Sequence, residues 1–448
     1  MRDLTQGSVT KTIIAMALPT AAGMIFQTLY LLVDLYFVAA LGDDAIAGVG
    51  AAGTLMFMIM AVTQILGVSA VALISQAVGR KQPDQANIVF NQSMLLAVIM
   101  ALFTIVGGFA FADVYMQSLA ADQGAQEQGV IFLHWFIPGM SLQFAMMGMA
   151  SALRATGIVK PGMIIQVLTV VLNTILAPIL IAGWGPGPAL GVMGAGLAST
   201  ISVSVGIVLM ILYFIKLEKY VSFQSALWKP DYDVWKKMLA IGLPAGGEML
   251  LLFVYFSIVY WLIQDFGAAS QAGFSIGGRI MQSIFMPTMA VAFAIGPIAG
   301  QNLGAGRHDR VRETCYKGLM LNSLVMLLVT LLMQISPALL VQAFTTETQV
   351  IEVGSGFLQI ISLNFIAQGV VFTCSGMFQG LGNTKPALLS SSIRLIIFIP
   401  IAVFLSQRDG FTVNQIWYVS VLSVFVQAIV SFLLLQREMR IKLQKITA

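Results

Sequence analysis

Twelve predominantly apolar stretches, each long enough to cross a lipid bilayer, fill most of this 448-residue chain. A bilayer's hydrocarbon core is about 30 Å thick and is crossed by roughly 20 helical residues. The stretches run 13–38, 47–76, 88–114, 128–153, 162–183, 190–215, 238–263, 272–300, 315–344, 353–379, 386–407 and 413–436. Hydrocarbon offers no hydrogen bonds to the backbone, so continuous runs of this length predict helices. Only 9% of the residues are charged and the mean hydropathy is +0.91, whereas a soluble chain carries about 25% charge. The chain is therefore read as an all-α integral membrane protein. Its net charge of +4 is small and dispersed, which argues against a nucleic-acid partner. Cys315 and Cys374 are too few for a disulfide framework or a zinc cluster and are expected to be free. The first stretch lacks a small-residue cleavage site and outruns a signal-peptide core, so it is read as a retained helix.

The basic residues give an orientation, because Lys and Arg in short loops stay on the cytoplasmic side. Alternate loops and the two termini collect 20 of the 23 Lys and Arg residues, from Arg2 and Lys11 to Arg437, Arg440, Lys442 and Lys445. Arg408 alone falls in an opposite loop, while Arg279 and Arg394 lie within helices. Both termini are expected to be cytoplasmic.

The chain also repeats itself. A shift of 225 residues pairs Leu18-Pro19 with Leu243-Pro244, Ala47-Gly48 with Ala272-Gly273, Gln76 with Gln301, Asp84 with Asp309, Gly157 with Gly382, and Lys160-Pro161 with Lys385-Pro386. Apolar matches arise by chance in such a composition. Pro, Gln, Asp and Lys matching at one offset do not, and they mark helix starts and turns. Two homologous six-helix bundles follow: residues 1–215, then a linker at 216–237, then 238–448. Six crossings is an even number, so the halves run in the same sense and are expected to be related by a pseudo-twofold axis along the membrane normal. The charged linker is either solvated or laid along the headgroup boundary.

Ionisable groups at membrane depth are costly and mark function by default. Asp34, near the outer end of the first helix, is one, and its repeat mate is Val259. That asymmetry favours a functional role over shared packing. Pro19 removes a backbone hydrogen bond fifteen residues earlier and makes a bend cheap; since Pro244 repeats it, a shared packing kink is as good a reading as a hinge. Glu248 and Arg394 lie at similar depth and would spare each other from lipid as a pair. Arg279 either biases Asp34 or snorkels outward. Asn173, Ser199 and Thr200 are polar groups in apolar runs, though hydroxyls there often bond their own helix. Gln27, Gln64, Asn364 and Gln368 are further polar candidates. No phosphate-binding loop or HExxH motif is present, and the one GxSxG match, GFSIG at 273–277, lies in an apolar helical stretch and not at the strand-to-helix turn of a nucleophile elbow, so no ATP-driven or hydrolytic chemistry is expected.

Four segments, taken in order, resemble the multidrug and toxic compound extrusion (MATE) family, in its bacterial DinF-type branch. They are LPTAAGMIFQTLYLLVDLYFVAALG, SALRATGIVKPG, LNTILAPILI and RIMQSIFMPTMAVAFAIGPIAGQNLGAGR. The resemblance spans essentially the whole chain. It implies a secondary antiporter, not an enzyme, that exports cationic or amphipathic small molecules in exchange for protons or sodium ions, with no cofactor, acting as a monomer in the bilayer. Pro19, Asp34 and Asn173 match the family's proline, carboxylate and asparagine, and Ser199 stands where a threonine is frequent. Two departures weaken a multi-carboxylate sodium site: Ala177 stands where the family commonly has Asp, and the tenth stretch carries Asn364, Gln368 and Cys374 but no acid. Coupling through protonation of Asp34 is therefore expected, with Pro19 as hinge. The alternatives are sodium coupling, or a lipid-linked precursor flippase, which would call for a more basic cavity.

Overall fold

The computed structural model describes residues 2–119, 122–185 and 187–444, the side chains of 29–32, 35 and 57 excepted. The described residues form α1 Val9–Ala39, α2 Asp43–Gly79, α3 Pro83–Leu119, α4 Gln123–Ala155, α5 Lys160–Ala182, α6 Val192–Lys216, α7 Tyr232–Ile263, α8 Ala268–Gly304, α9 His308–Ile335, α10 Pro337–Gln342, α11 Thr348–Ile361, α12 Phe365–Leu381, α13 Lys385–Ser406 and α14 Val413–Gln444. Among them are twelve spans long and apolar enough to cross a membrane, with α11 and α12 joined through a 3-10 turn as the tenth. The expected 315–344 stretch is cut short: α9 ends at Ile335 and a separate short helix begins at Pro337. Proline lacks an amide donor and its ring clashes with the preceding turn, which stops a helix even in an apolar run.

The chain divides into two compact units, Met1–Asp3 with Ala22–Gly242 and Leu4–Ala21 with Leu243–Ala448. Two stretches thus group otherwise than in the expected 1–215, 216–237 and 238–448 division, and hydrogen bonds explain both. The linker is bound to α3 of the first unit. Asn87, Asn91 and Gln92, all buried, form a polar row on that helix. Asn87 accepts from Ser222 N (2.8 Å) and donates to Tyr220 O (3.0 Å). Asn91 donates to Ser222 O and accepts from Gln224 N and Trp228 Nε1 at 2.9 to 3.0 Å. Gln92 donates to Leu227 O and Lys229 O, both at 2.7 Å, and accepts from Asp231 N at 3.0 Å. The linker is therefore docked along α3, with a 3-10 turn at Ser225–Leu227, and is not a free loop. In the second unit, Leu4–Gly7 is held by the turn between α8 and α9. Leu4 N donates to Gln301 Oε1, Arg307 to Thr5 O, and Arg310 to Gly7 O and Asn302 Oδ1. The two helices that pass from one unit to the other do so beside a repeated proline. The boundary falls two residues after Pro19 in α1 and one residue before Pro244 in α7.

Within each unit the packing repeats. In the first, α4 lies against α2, α3 and α6; in the second, the α11–α12 span lies against α8, α9 and α14. Both have a close crossing made by glycine. A Cβ on Gly48 would lie 2.5 Å from Ala125 O and 2.7 Å from Gly129 N, and one on Gly273 would lie 2.9 Å from Gly354 N. Gly129 and Gly354 are themselves 225 residues apart. The backbone hydrogen bonding of the helix that crosses there is disturbed at the same place in both units. Pro138 lies inside the continuous α4, and Thr200 of α6 inserts its hydroxyl, donating to Trp135 O (2.5 Å) and accepting from Gly139 N (3.1 Å). At the matching position of the second unit, Ser362–Asn364 forms the 3-10 turn. There α9 fills the gap, with Thr330 donating to Ser362 O (3.0 Å) and Gln334 to Gln359 O (2.8 Å). Both free cysteines are buried.

Candidate functional site

The first unit brings three of the expected residues together. Ser199 Oγ of α6 donates to Asp34 Oδ2 of α1 at 3.4 Å, and Asn173 Nδ2 of α5 donates to Ser199 Oγ at 3.4 Å. Asn173 and Ser199 are fully buried and Asp34 is half-buried. The contacts are long and leave slack. Asn173 Oδ1 is buried and accepts no hydrogen bond among the described residues. One helical turn further along each helix stand Val38, Ala177 and Ala195, all buried in one apolar cluster. The polar trio thus has a dry layer of three small or branched side chains on one side. Ala177, where the resemblance leads one to expect an acid, belongs to that layer.

The second unit has no counterpart to this chemistry at the repeat positions. Val259 stands for Asp34 and Phe398 for Asn173, both buried in that unit's apolar core. Its acid is elsewhere: Glu248 Oε2 of α7 accepts from Ser375 Oγ of α12 at 3.1 Å. Glu248 does not form an ion pair with Arg394 among the described residues. Arg394 instead lies over the ring of Tyr255, its Cζ 4.2 Å from the centroid, while Tyr255 Oη shares a 2.6 Å hydrogen bond with Ser420 Oγ. A cation over an aromatic face is stabilised without a carboxylate, so the two helices need no ion pair between them. Arg279 has an exposed side chain without a hydrogen bond or ion pair among the described residues, and Gln368 is half-buried and likewise without a polar partner. Of the hydroxyls, Thr200 serves the disturbed turn of α4 and takes no part in the Asp34 chain. Gln27 is reached by Gln166 at 3.2 Å on an exposed surface.

The 225-residue repeat is where comparison with known proteins decides the family. The MatE family model matches twice, at residues 19–179 and 244–404, and the starts and ends of both matches are 225 residues apart. The chain belongs to the MatE family. As a MatE protein it is a multi-pass membrane transporter. It is similar to a protein of Shewanella oneidensis named FAD transporter, with 24% identity covering 91% of this chain and 90% of that one. It is likewise similar to the probable multidrug resistance protein NorM of Thermotoga maritima, 25% identical over 86% of this chain and 83% of that one. A solved structure of a MATE protein in the straight conformation matches with a TM-score of 0.92, at 23% identity, over 99% of this chain and 98% of the other. The MatE fold is thereby that of a two-lobe, twelve-helix transporter.

Proposed function

We propose that the chain is a multidrug efflux antiporter of a bacterial inner membrane, expelling cationic or amphipathic compounds in exchange for protons taken up by Asp34. The observation that carries this reading is the Asp34, Ser199 and Asn173 chain, found in one unit and replaced by valine and phenylalanine in the other. A carboxylate kept in one half only is suited to binding a charge that comes and goes. Deprotonated, Asp34 attracts a cationic substrate and accepts from Ser199. Protonated, it no longer attracts a cation and gains a donor. Asn173 Oδ1, buried and lacking a donor, is the kind of acceptor such a proton would seek. The rearranged hydrogen bonds would then favour a bend of α1 at Pro19, whose missing amide bond makes that turn the weakest of the helix. Proton and substrate are thereby coupled through reciprocal effects on each other's affinity. Both termini are placed in the cytoplasm, and one chain suffices for the cycle.

Everted vesicles with imposed pH or sodium gradients test the proposal. Addition of a cationic dye should dissipate the pH gradient in wild type and not in Asp34→Asn, which keeps the hydrogen-bonding shape and loses the titration. Dissipation of the sodium gradient alone would replace the proton by sodium. Wild-type proton release by Asp34→Asn at equal expression would refute the role of Asp34.

A further inference from the structure

We propose that the groove between the start of α9 and the end of α14 holds the headgroup of an anionic phospholipid. The groove has a volume of about 390 Å³ and is lined by Arg312, Tyr316, Gln436, Met439, Arg440 and Gln444. Two guanidinium groups and no carboxylate line it. A neighbouring cavity of about 650 Å³ shares Arg312 and Gln444.

The arginines of this region have different duties. Arg307 and Arg310 are spent on the backbone of residues 5–7. Arg312 is not: among the described residues its one ion pair is a 3.7 Å contact to the fully exposed Asp309, a type of pair worth little in water. Arg440 is exposed and has no hydrogen bond or ion pair among the described residues. Two cations are therefore left facing one groove. Guanidinium groups bind phosphate oxygens through paired N–H donors, and the hydroxyl of the exposed Tyr316 is a further donor of the kind found at headgroup depth.

The surroundings select a lipid over a free anion. One and two turns from Tyr316 along α9, Met320 and Leu324 are exposed. On α14, Leu433 and Ile429 are exposed one and two turns from Gln436, and two and three turns from Arg440. The basic mouth thus continues into two uncovered apolar flanks, which is the order of charge and hydrocarbon in a phospholipid. Basic pockets between membrane helices take anionic headgroups on this principle.

Native mass spectrometry of the full chain in a neutral detergent, titrated with dioleoylphosphatidylglycerol or dioleoylphosphatidylcholine, tests this. Phosphatidylglycerol should bind more tightly, and Arg312→Gln with Arg440→Gln should cut that preference about 25-fold, at about five-fold per basic residue. Each single change should cut it about five-fold, which keeps the test open if the double variant aggregates. Arg312→Lys with Arg440→Lys should keep most of the preference. The proposal is overturned if the glutamine variants bind phosphatidylglycerol like wild type, or if Lys216→Gln with Lys219→Gln, at the end of α6, lowers it equally through bulk attraction. Displacement by millimolar inorganic phosphate would overturn it too, as the mark of a free-phosphate site.

Discussion

Asn91→Leu removes the central side chain of the row that holds the linker on α3, while nearly keeping its volume. Asn91 is fully buried and makes three hydrogen bonds to the linker, to Ser222 O, Gln224 N and Trp228 Nε1. A fourth goes to Asn87 O of its own helix. A hydrogen bond contributes about 1 kcal/mol net, and a buried group left without its partner costs about 1 to 3 kcal/mol. Because a lifted linker rehydrates its backbone, the lower figure applies, and the three contacts sum to about 3 kcal/mol. At about 1.4 kcal/mol per tenfold, the detached population should rise about a hundred-fold. Detachment frees the backbone at Lys219, whose side chain is already exposed, to enter the trypsin active site; Lys229 is followed by Pro230 and is not a tryptic site. When opening is fast relative to cleavage, nicking tracks the open population. Asn91→Leu in detergent should therefore be cut within 216–237 about a hundred-fold faster, while cleavage at the Arg80-Lys81 turn serves as an internal control. Nicking of the linker at the wild-type rate would show that the amide row does not hold it.

Three further outcomes follow from the packing and from the acids. Thr200→Val keeps the shape of the side chain but deprives Trp135 O and Gly139 N of their partner, and should lower thermal stability by about 1 to 3 kcal/mol, as should Thr330→Val; unchanged melting of both would refute the role of these hydroxyls. Gly48→Ala and Gly273→Ala force a methyl against backbone and should each cost about 1 to 3 kcal/mol and reduce the yield of monodisperse protein, whereas Gly50→Ala, with open space at its Cβ, should be neutral. Glu248→Gln keeps an acceptor for Ser375 and should leave substrate-induced proton release intact in everted vesicles; its loss would move coupling to the second unit.

The sequence made the spans legible because apolar length is a strong signal, and it made the repeat legible because polar residues at helix starts survive in register. It also carried Asp34, Asn173 and Ser199 as separate candidates. That they meet comes from the structure, since depth along a helix can be counted from a sequence but the direction a side chain faces cannot. The same gap explains Glu248 and Arg394, which share a depth but take Ser375 and Tyr255 as partners. For Thr200 the sequence leaves open a place beside Asp34 or a bond within its own helix, and the structure gives it a third task at Pro138 of a neighbouring helix. Asn87, Asn91 and Gln92 were missed outright. Their signal is the run NIVFNQ, three amides on one side of an apolar helix near its start, a pattern that shows neither burial nor a partner in a segment about 130 residues away. The tenth span read as one helix because nothing in SLNF marks a break as proline does.

The docked linker also bears on how the chain is built. During synthesis α3 leaves the ribosome some 140 residues ahead of Asp231, the last linker residue bound by the row on that helix. Until then the three buried amides lack their linker partners, although Asn87 and Asn91 each donate to their own helix, so the leading half is not finished when its sixth crossing has been inserted. A chain truncated and released at residue 215 should stay loose and be held by the insertion machinery, whereas one released at 242 should lock.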